Sequence, residues 1–205
     1  MAATPCVIFS DDRDINIAQN IIGKPLVQAW FNGWLVQEDN QINLLGKEAS
    51  ITFLKNYNNI EDCLAVLSIF NRTNIITNSS EEYKQIYWEQ ISTKTLGYML
   101  TAQEQQNIAQ ICKSKEKRCY INQLAEEISS LANYHGAHLN AEDICKKLYS
   151  IPSSYSFNTQ KFDSDTISKL NRHYLNLIIH ISDSKLQLPG LNQLMKAIYL
   201  RINPF

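Results

Sequence analysis

The sequence predicts an α+β fold that is mostly α-helical, with a small β-hairpin or meander near the N-terminus. After residue 49, apolar residues recur at three- and four-residue steps, the period of helices that pack on one side. Before it, short apolar runs flank an Asn32–Gly33 pair, which is typical of a hairpin turn. Strand and helix patterns do not alternate as in a doubly wound sheet, so we expect about seven or eight helices and two or three strands.

The composition argues against several classes of protein. At 205 residues the chain can bury a core without a metal or a disulfide, so no cofactor is predicted. Its net charge of −1 argues against a surface for nucleic acid or anionic membrane. Five irregularly spaced cysteines indicate reduced thiols. Without a basic leader or a long apolar run, the protein is expected to be cytosolic where it is made.

The first fifty residues contain the predicted strands. Cys6–Phe9 is a short apolar run suited to a strand, and residues 12–22 follow it as a helix that Gly23 ends. The hairpin is predicted from residues 26–30 and 34–37, with a third strand at 41–45. This register places Trp30 opposite Leu35.

The middle of the chain is predicted to be helical. Residues 50–55 form a short helical segment, and residues 60–70 carry a clear apolar stripe. Ser79 with Glu82 matches a capping box before Tyr83. Thr101 with Glu104 matches a second box before the next helix.

The last third of the chain carries the clearest helical patterns. Helices are predicted at residues 120–133, from Asn140 to 149, at 163–182 and after Pro189. In the third of these, Lys169, Arg172, His173 and Asn176 are expected to face solvent. The Ser- and Pro-rich residues 151–160 suggest a boundary, so the predicted parts are residues 1–150 and a helical hairpin at 151–205, packed into the same domain.

Motifs for catalysis are weak. Asp12 and Asp14 follow the first strand, where carboxylates can hold Mg²⁺, but acidic residues also favour a helix N-terminus. Two histidines and two cysteines lie within residues 112–138, but their spacing matches no familiar zinc site, so no metal site is predicted. Neither Gly-Lys pair has the glycines of a phosphate loop. No catalytic residue is predicted.

Aromatic and apolar residues are the better candidates for a binding surface. Trp30 and Leu35 share a mixed face of the hairpin with glutamines, and Tyr87 and Trp88 widen the aromatic arc of one helix. Such residues are also common in cores. The sequence therefore predicts either core or a protein-binding role for these four residues.

Low charge, near-zero net charge and missing catalytic motifs favour a non-enzymatic adaptor or chaperone-like protein that presents client proteins to a larger hetero-oligomeric complex. The stretch Cys-Val-Ile-Phe-Ser-Asp-Asp-Arg-Asp-Ile-Asn-Ile from Cys6, in a chain rich in Asn and Ile, resembles LvgA-type adaptors of the Legionella Dot/Icm type IV secretion coupling complex. The resemblance implies cytoplasmic recruitment of effector proteins. The alternative is a bacterial effector enzyme or Mg²⁺-dependent hydrolase that uses Asp12 and Asp14.

Overall fold

The computed structural model describes residues 6–9, 26–38, 41–54, 60–72, 75–155, 157 and 163–203. The chain divides into two compact units, Met1–Tyr87 and Trp88–Phe205. The first unit contains the described strands, and the second is built from helices. The boundary predicted near residue 151 lies inside the second unit.

Four strands form one sheet in the first unit, in the spatial order β1-β2-β3-β4. They are β1 (Cys6–Phe9), β2 (Leu26–Glu38), β3 (Gln41–Leu54) and β4 (Ile76–Ser80). β1 lies parallel to β2, β2 lies antiparallel to β3, and β3 lies parallel to β4. The strand predicted at β1 is confirmed.

The predicted hairpin turn is wrong. β2 continues through Asn32 and Gly33, and its register with β3 shifts between Asn32 and Trp34, as at a β-bulge. The two strands instead connect between Glu38 and Gln41, which pair with each other. Asn-Gly supplies the backbone freedom for a bulge as well as for a turn, so the pair alone did not distinguish them.

The helical segment predicted at residues 50–55 is also wrong, because β3 continues to Leu54. Ile51 and Phe53 alternate toward the core of the first unit. This core lies between the sheet and α1 (Ile60–Phe70), which confirms the helix predicted there. Its buried residues are Val27, Ala29, Ile51, Phe53, Cys63 and Val66.

Helix α2 (Tyr83–Glu104) begins three residues later than a cap at Ser79 implies. The Oγ of Ser80 accepts a hydrogen bond from the amide of Glu82 at 3.0 Å. Ser79 instead pairs with Phe53 in the sheet. Two adjacent serines offered the same side-chain chemistry, and the end of β4 determines which of them caps the helix.

The capping box predicted at Thr101 is wrong, because this residue lies inside α2. Its Oγ1 donates to the carbonyl oxygen of Gly97 at 2.7 Å, as hydroxyls do in helix interiors. Asn107 is the actual cap of α3 (Ile108–Ile111), and it forms a capping box with Gln110.

The next two helices match their predictions closely. α4 (Lys115–Tyr134) is capped by Ser114 and begins earlier than expected, since part of the basic run is helical. It ends before Gly136, whose φ of 85° suits glycine. α5 (Ala141–Tyr149) is capped by the side chain of Asn140.

The C-terminal pair of helices is confirmed. Asp163 caps α6 (Ser164–Asp183) by accepting a hydrogen bond from the amide of Thr166 at 2.8 Å. α7 (Pro189–Ile202) packs against α6 and buries Leu194. The described residues thus contain seven helices and one four-stranded sheet, which confirms a mostly helical α+β fold.

Among the described residues, Cys63, Cys112, Cys119 and Cys145 form no disulfide bond. Among the residues that the structure describes, no group of three or more His, Cys, Asp or Glu side chains could hold a metal ion. Over the same residues, no helix has the length and apolarity needed to cross a membrane.

Candidate functional site

Helix α2 is buried over much of its circumference, including several polar residues. Ser92, Thr93 and Thr95 are all buried in the second unit. The hydroxyls of Ser92 and Thr93 donate to the carbonyl oxygen of Glu89, one turn earlier. These hydrogen bonds within the helix offset the free-energy cost of burying the two hydroxyls. Thr95 is different, because its hydroxyl is directed to another helix.

Thr95 and His173 connect α2 to α6. The Oγ1 of Thr95 lies 3.0 Å from Nδ1 of His173, and the imidazole tautomer determines which atom donates. Burial, together with the positive charges of Lys94 and Arg172, lowers the pKa of His173 to about 4. The imidazole is therefore neutral at physiological pH.

Lys94 is the unusual member of this group. Its side chain is half-buried, and burial lowers the pKa of its amine. With the residues that the structure describes, Lys94 forms neither an ion pair nor a hydrogen bond. A buried ammonium without a counter-charge is costly, and an anion bound beside Lys94 would reduce that cost.

Tyr98 completes the group, one helical turn after Lys94 on the same face of α2. Its ring stacks on His173, with centroids 4.6 Å apart and planes 26° apart. Burial raises the pKa of Tyr98, so its hydroxyl stays protonated at neutral pH. We call Lys94, Thr95, Tyr98 and His173 the α2–α6 cluster.

Phe157 forms one apolar wall beside this cluster. Its ring lies 4.8 Å from the ring of Tyr98 and 5.0 Å from that of Tyr155. A Cβ on Gly97 would lie 2.3 Å from Cζ of Phe157, so glycine allows the aromatic ring to lie against the helix. Burial raises the pKa of Tyr155 to about 12.

Asn176 lies one turn beyond His173 on α6. The residue is 6% exposed, and its Oδ1 accepts no hydrogen bond from any described residue. Most buried polar atoms are paired, so this carbonyl is an available acceptor in the interior of the second unit.

The cluster has the chemistry of an anion site. It contains an amine, two hydroxyls and an imidazole but no carboxylate, and the nearby Asp165 is paired with Lys169 at 2.6 Å. A small anion would supply the counter-charge that Lys94 lacks and would accept hydrogen bonds from the hydroxyls. The protonated Tyr98 hydroxyl can also donate to a carbonyl oxygen.

A cavity of about 510 Å³ lies elsewhere in the second unit, between α4 and α5. Its central polar group is Asn122, whose Oδ1 accepts hydrogen bonds from the Tyr149 hydroxyl at 2.8 Å and from the Cys145 thiol at 3.3 Å. Burial raises the pKa of Cys145, which disfavours the nucleophilic thiolate. The groups in this cavity are therefore less suited to binding or reacting with a ligand than those of the α2–α6 cluster.

The predicted binding residues lie in different surroundings. Trp88 is 2% exposed and packs against His135 and His180, with ring centroids 5.5 and 4.7 Å away. Trp30 is half-buried against Tyr83 and Tyr87, at 6.5 and 6.3 Å.

The structure does not group the four predicted binding residues in one described site. Leu35 pairs with Leu44 in the sheet, and its side chain lies outside the description, as do Asp12 and Asp14. Trp30 and Tyr87 belong to the first unit, whereas Trp88 belongs to the second. Their binding role stays a prediction, as do the roles of the two aspartates.

The α2–α6 cluster was not predicted from the sequence. His173 and Asn176 were expected to face solvent, and this is wrong because side chains from other elements cover them. The available signal was the polar run from Ser92 to Thr95 inside a helix without a clear polar face. Such a run indicates buried hydroxyls.

No protein-family model matches the sequence, and no curated protein matches it. Solved structures nevertheless share its fold. Dimeric ketopantoate reductase from Staphylococcus aureus superposes with a TM-score of 0.73 and 11% identity, over 98% of this chain and 79% of that one. For 2-dehydropantoate 2-reductase from Geobacter metallireducens GS-15 the TM-score is 0.71 and the identity 12%, over 96% and 67%.

D-mandelate dehydrogenase with NADH and anilino(oxo)acetate is also similar, with a TM-score of 0.68 and 10% identity over 97% of this chain and 66% of that one. The prediction of a non-enzymatic adaptor for type IV secretion is wrong, because the solved structures with this fold are reductases and dehydrogenases. The comparisons do not bear on the resemblance to LvgA-type proteins or on protein partners, which stay predictions.

Proposed function

We propose that this protein is an oxidoreductase that acts on a small 2-oxo or 2-hydroxy acid and binds its carboxylate at the α2–α6 cluster. The fold carries the proposal, since 98% of the chain superposes on a ketopantoate reductase. The names of the similar proteins mention ketopantoate, mandelate and anilino(oxo)acetate. Each of these acids carries an oxo or hydroxyl oxygen on the carbon next to its carboxylate.

The α2–α6 cluster supports this class of substrate. Lys94 needs a counter-anion, and a carboxylate provides one. Burial keeps the Tyr98 hydroxyl protonated, so it can donate a hydrogen bond to the oxo or hydroxyl oxygen next to the carboxylate of the substrate. Phe157 would cover an apolar substituent of the acid, as the apolar lining of small-molecule sites does.

The fold also implies a nicotinamide cofactor, because D-mandelate dehydrogenase is described with NADH. In such folds a glycine-rich turn after the first strand approaches the pyrophosphate. β1 and β2 have the required parallel pairing, but the sequence after Phe9 is Ser-Asp-Asp-Arg-Asp, and no glycine occurs between Phe9 and Gly23. Three carboxylates would also repel the pyrophosphate. These residues do not fit the dinucleotide, so acid binding is the part of the function that the cluster supports.

Calorimetric titration of the full chain with pyruvate, ketopantoate and mandelate tests acid binding. We expect saturable binding that weakens about tenfold or more in Lys94→Met, because a charge-assisted hydrogen bond contributes about 1.5–3 kcal/mol. Lys84→Met is the matched control, since Lys84 is an exposed lysine of the same helix. Equal binding by both variants, or no binding of any of the acids, would refute the site.

The oxidoreductase assignment has its own assay. Each acid is mixed with NADH, NADPH, NAD⁺ or NADP⁺, and the nicotinamide absorbance is followed with time. Acid-dependent turnover that Lys94→Met abolishes and Lys84→Met retains supports the proposal. Acid binding without a change of absorbance with any of the four would count against the reductase reaction while leaving the acid site in place.

A further inference from the structure

We infer that a groove between α6 and α7 binds a small carboxylate that has an aromatic body, at a second site outside the α2–α6 cluster. The inference goes beyond the proposed function, because none of the four residues of that cluster lines the groove. The groove holds a cavity of about 360 Å³, which is within the size range of small-molecule sites. Its described lining comes from these two helices alone.

One wall of the groove comes from α6 and is largely apolar. Tyr174, Ile178 and Ile181 recur at steps of four and three residues, which places them on one face of the helix. Each of them is half-buried, so the packing of α7 on α6 leaves part of each side chain uncovered. Met195 of α7 is 6% exposed and forms the most deeply buried part of the lining. These surfaces suit the apolar body of a ligand, because removing apolar area from water is favourable.

The other wall comes from α7 and carries the polar groups. Asn192, Lys196 and Tyr199 recur at the same steps and are exposed. With the residues that the structure describes, Lys196 forms no ion pair and the side-chain amide of Asn192 forms no hydrogen bond. No carboxylate occurs among the described residues that line the groove. An anion in the groove would therefore meet an uncompensated ammonium and an amide donor one helical turn apart.

Two tyrosine rings form one end of the groove. Tyr174 is the first lining residue of α6 and Tyr199 is the last of α7, and their ring centroids lie 6.2 Å apart with planes at 38°. Tyr199 is 50% exposed, so part of its ring is open to a ligand. Aromatic rings attract one another in such tilted arrangements, so a third ring can join this pair. The pair therefore favours an aromatic body over a straight alkyl chain.

The order of these groups along α7 indicates how the ligand lies. Lys196 is one turn from Asn192 and one turn from Tyr199, and the three residues span about 10 Å of helix. A carboxylate bound between Lys196 and Asn192 directs its ring toward the tyrosine pair. 3-Phenylpropionate, in which two methylene groups separate the carboxylate from the ring, fits this order. It has no oxygen on the carbon next to the carboxylate, so it lacks the feature proposed for substrates of the α2–α6 cluster.

A titration followed at the methionine methyl groups tests the inference. The chain has three methionines, Met1, Met99 and Met195. The full chain, labelled with ¹³C at these methyl groups, is titrated with 3-phenylpropionate, and Met195→Leu identifies the signal of Met195. We expect this signal to shift saturably, because the bound ring lies beside it. The Met99 signal should stay in place, because Met99 is buried and does not line the groove.

The uncharged 3-phenylpropionamide tests the role of Lys196. The wild type should bind the acid up to about fivefold more tightly than the amide, the usual limit for an ion pair at an exposed position. Lys196→Met should bind the two ligands equally. Lys115→Met is the matched control, because Lys115 is exposed on α4 and does not line the groove, and it should keep the preference for the acid.

A second variant tests the cavity independently of charge. Ile178→Trp fills the groove with a larger side chain, so it should abolish the binding of both ligands. Circular dichroism checks that each variant is folded. Binding that is unchanged in Ile178→Trp would place the ligand elsewhere and overturn the inference.

The remaining outcomes are equally decisive. A Met195 signal that does not move, or equal binding of acid and amide by the wild type, overturns the inference. A Met195 signal that shifts with protein concentration alone shows that a second copy of the chain covers the groove, which also overturns it. Lys94→Met should retain the shift of Met195, and its loss would show that the two sites are not separate. Failure of the calorimetric test at the α2–α6 cluster leaves the groove site standing.

Discussion

Glu127 binds the amide of Gly190 and in this way begins a helix that has no cap of its own. Oε1 of Glu127 lies 2.8 Å from the amide nitrogen of Gly190, and Oε2 lies 2.7 Å from that of Leu191. Leu188, at the N-cap of α7, has no side-chain oxygen to offer. A carboxylate from α4 thus replaces the missing cap and fixes the start of the C-terminal helix.

We predict that Glu127→Ala lowers the free energy of unfolding by about 2 kcal/mol, because two charge-assisted hydrogen bonds at a helix start are lost. Glu127→Gln should lose less, since its amide oxygen still accepts one bond. Urea unfolding measures both changes. Glu126→Ala is the control, as Glu126 is an exposed neighbour on α4. Equal effects of the two alanine variants would contradict the capping role.

Gly97→Ala should destabilise the protein although alanine favours helices. The added Cβ would lie 2.3 Å from Cζ of Phe157, and such overpacking costs about 1–3 kcal/mol, against about 1 kcal/mol gained in helix propensity. Phe157→Leu should relieve the clash, so the double variant should be more stable than the sum of the single changes predicts. A strictly additive double-mutant cycle, measured by thermal or urea unfolding, would show that the two residues do not clash.

The stability of the protein should fall as pH decreases from about 6.5 to about 4. The pKa of His173 is lowered to about 4 in the folded protein, so within this window the unfolded chain binds a proton that the folded chain does not. This one residue contributes a slope of up to about 1.4 kcal/mol per pH unit.

Urea unfolding at several pH values tests this dependence. His173→Gln should flatten the slope in the window, whereas His138→Gln, at an exposed residue, should leave it unchanged. Above pH 6.5 the His173 term vanishes, because the imidazole is neutral in both states. An unchanged slope in His173→Gln would show that burial and the neighbouring charges do not lower the pKa of His173.

Trp30→Ala should destabilise the first unit by about 3 kcal/mol, because the side chain contacts both Tyr83 and Tyr87. The sequence predicts either core or a binding surface for Trp30, and on a binding surface its loss would leave stability nearly unchanged. Trp30→Phe should lose less, since part of the aromatic contact remains. Leu44→Ala, at a residue that is 44% exposed, is the matched control in unfolding experiments. Similar losses for Trp30→Ala and Leu44→Ala would argue for a surface role.

Local signals explain which elements the sequence predicted well. The side chains of Asn140 and Asp163 each cap the helix that follows, and each of these signals lies within a few residues of the helix start. The apolar stripe of α6 has the helical period over its whole length, so its existence required no knowledge of its neighbours.

The long strands and the site depended on distant residues. β2 continues through Asn32 and Gly33 because β3 pairs along almost its whole length, and nothing within four residues of the pair encodes this. Thr95 and His173 are 78 positions apart in the sequence, yet a hydrogen bond joins them. His173 was expected to face solvent, and it is half-buried at this contact. Sequence periodicity could place each helix but not the contact between them.

The unequal lengths of the strands divide the sheet into zones with different resistance to amide-proton exchange. β1 pairs only with Leu26–Ala29, and β4 pairs only with Ser50–Leu54. Beyond these segments, within the described residues, β2 and β3 have only each other as ladder partners. A ribbon of two strands opens more easily than a four-stranded sheet, so deuterium should enter its outer part first and reach the four-stranded base last.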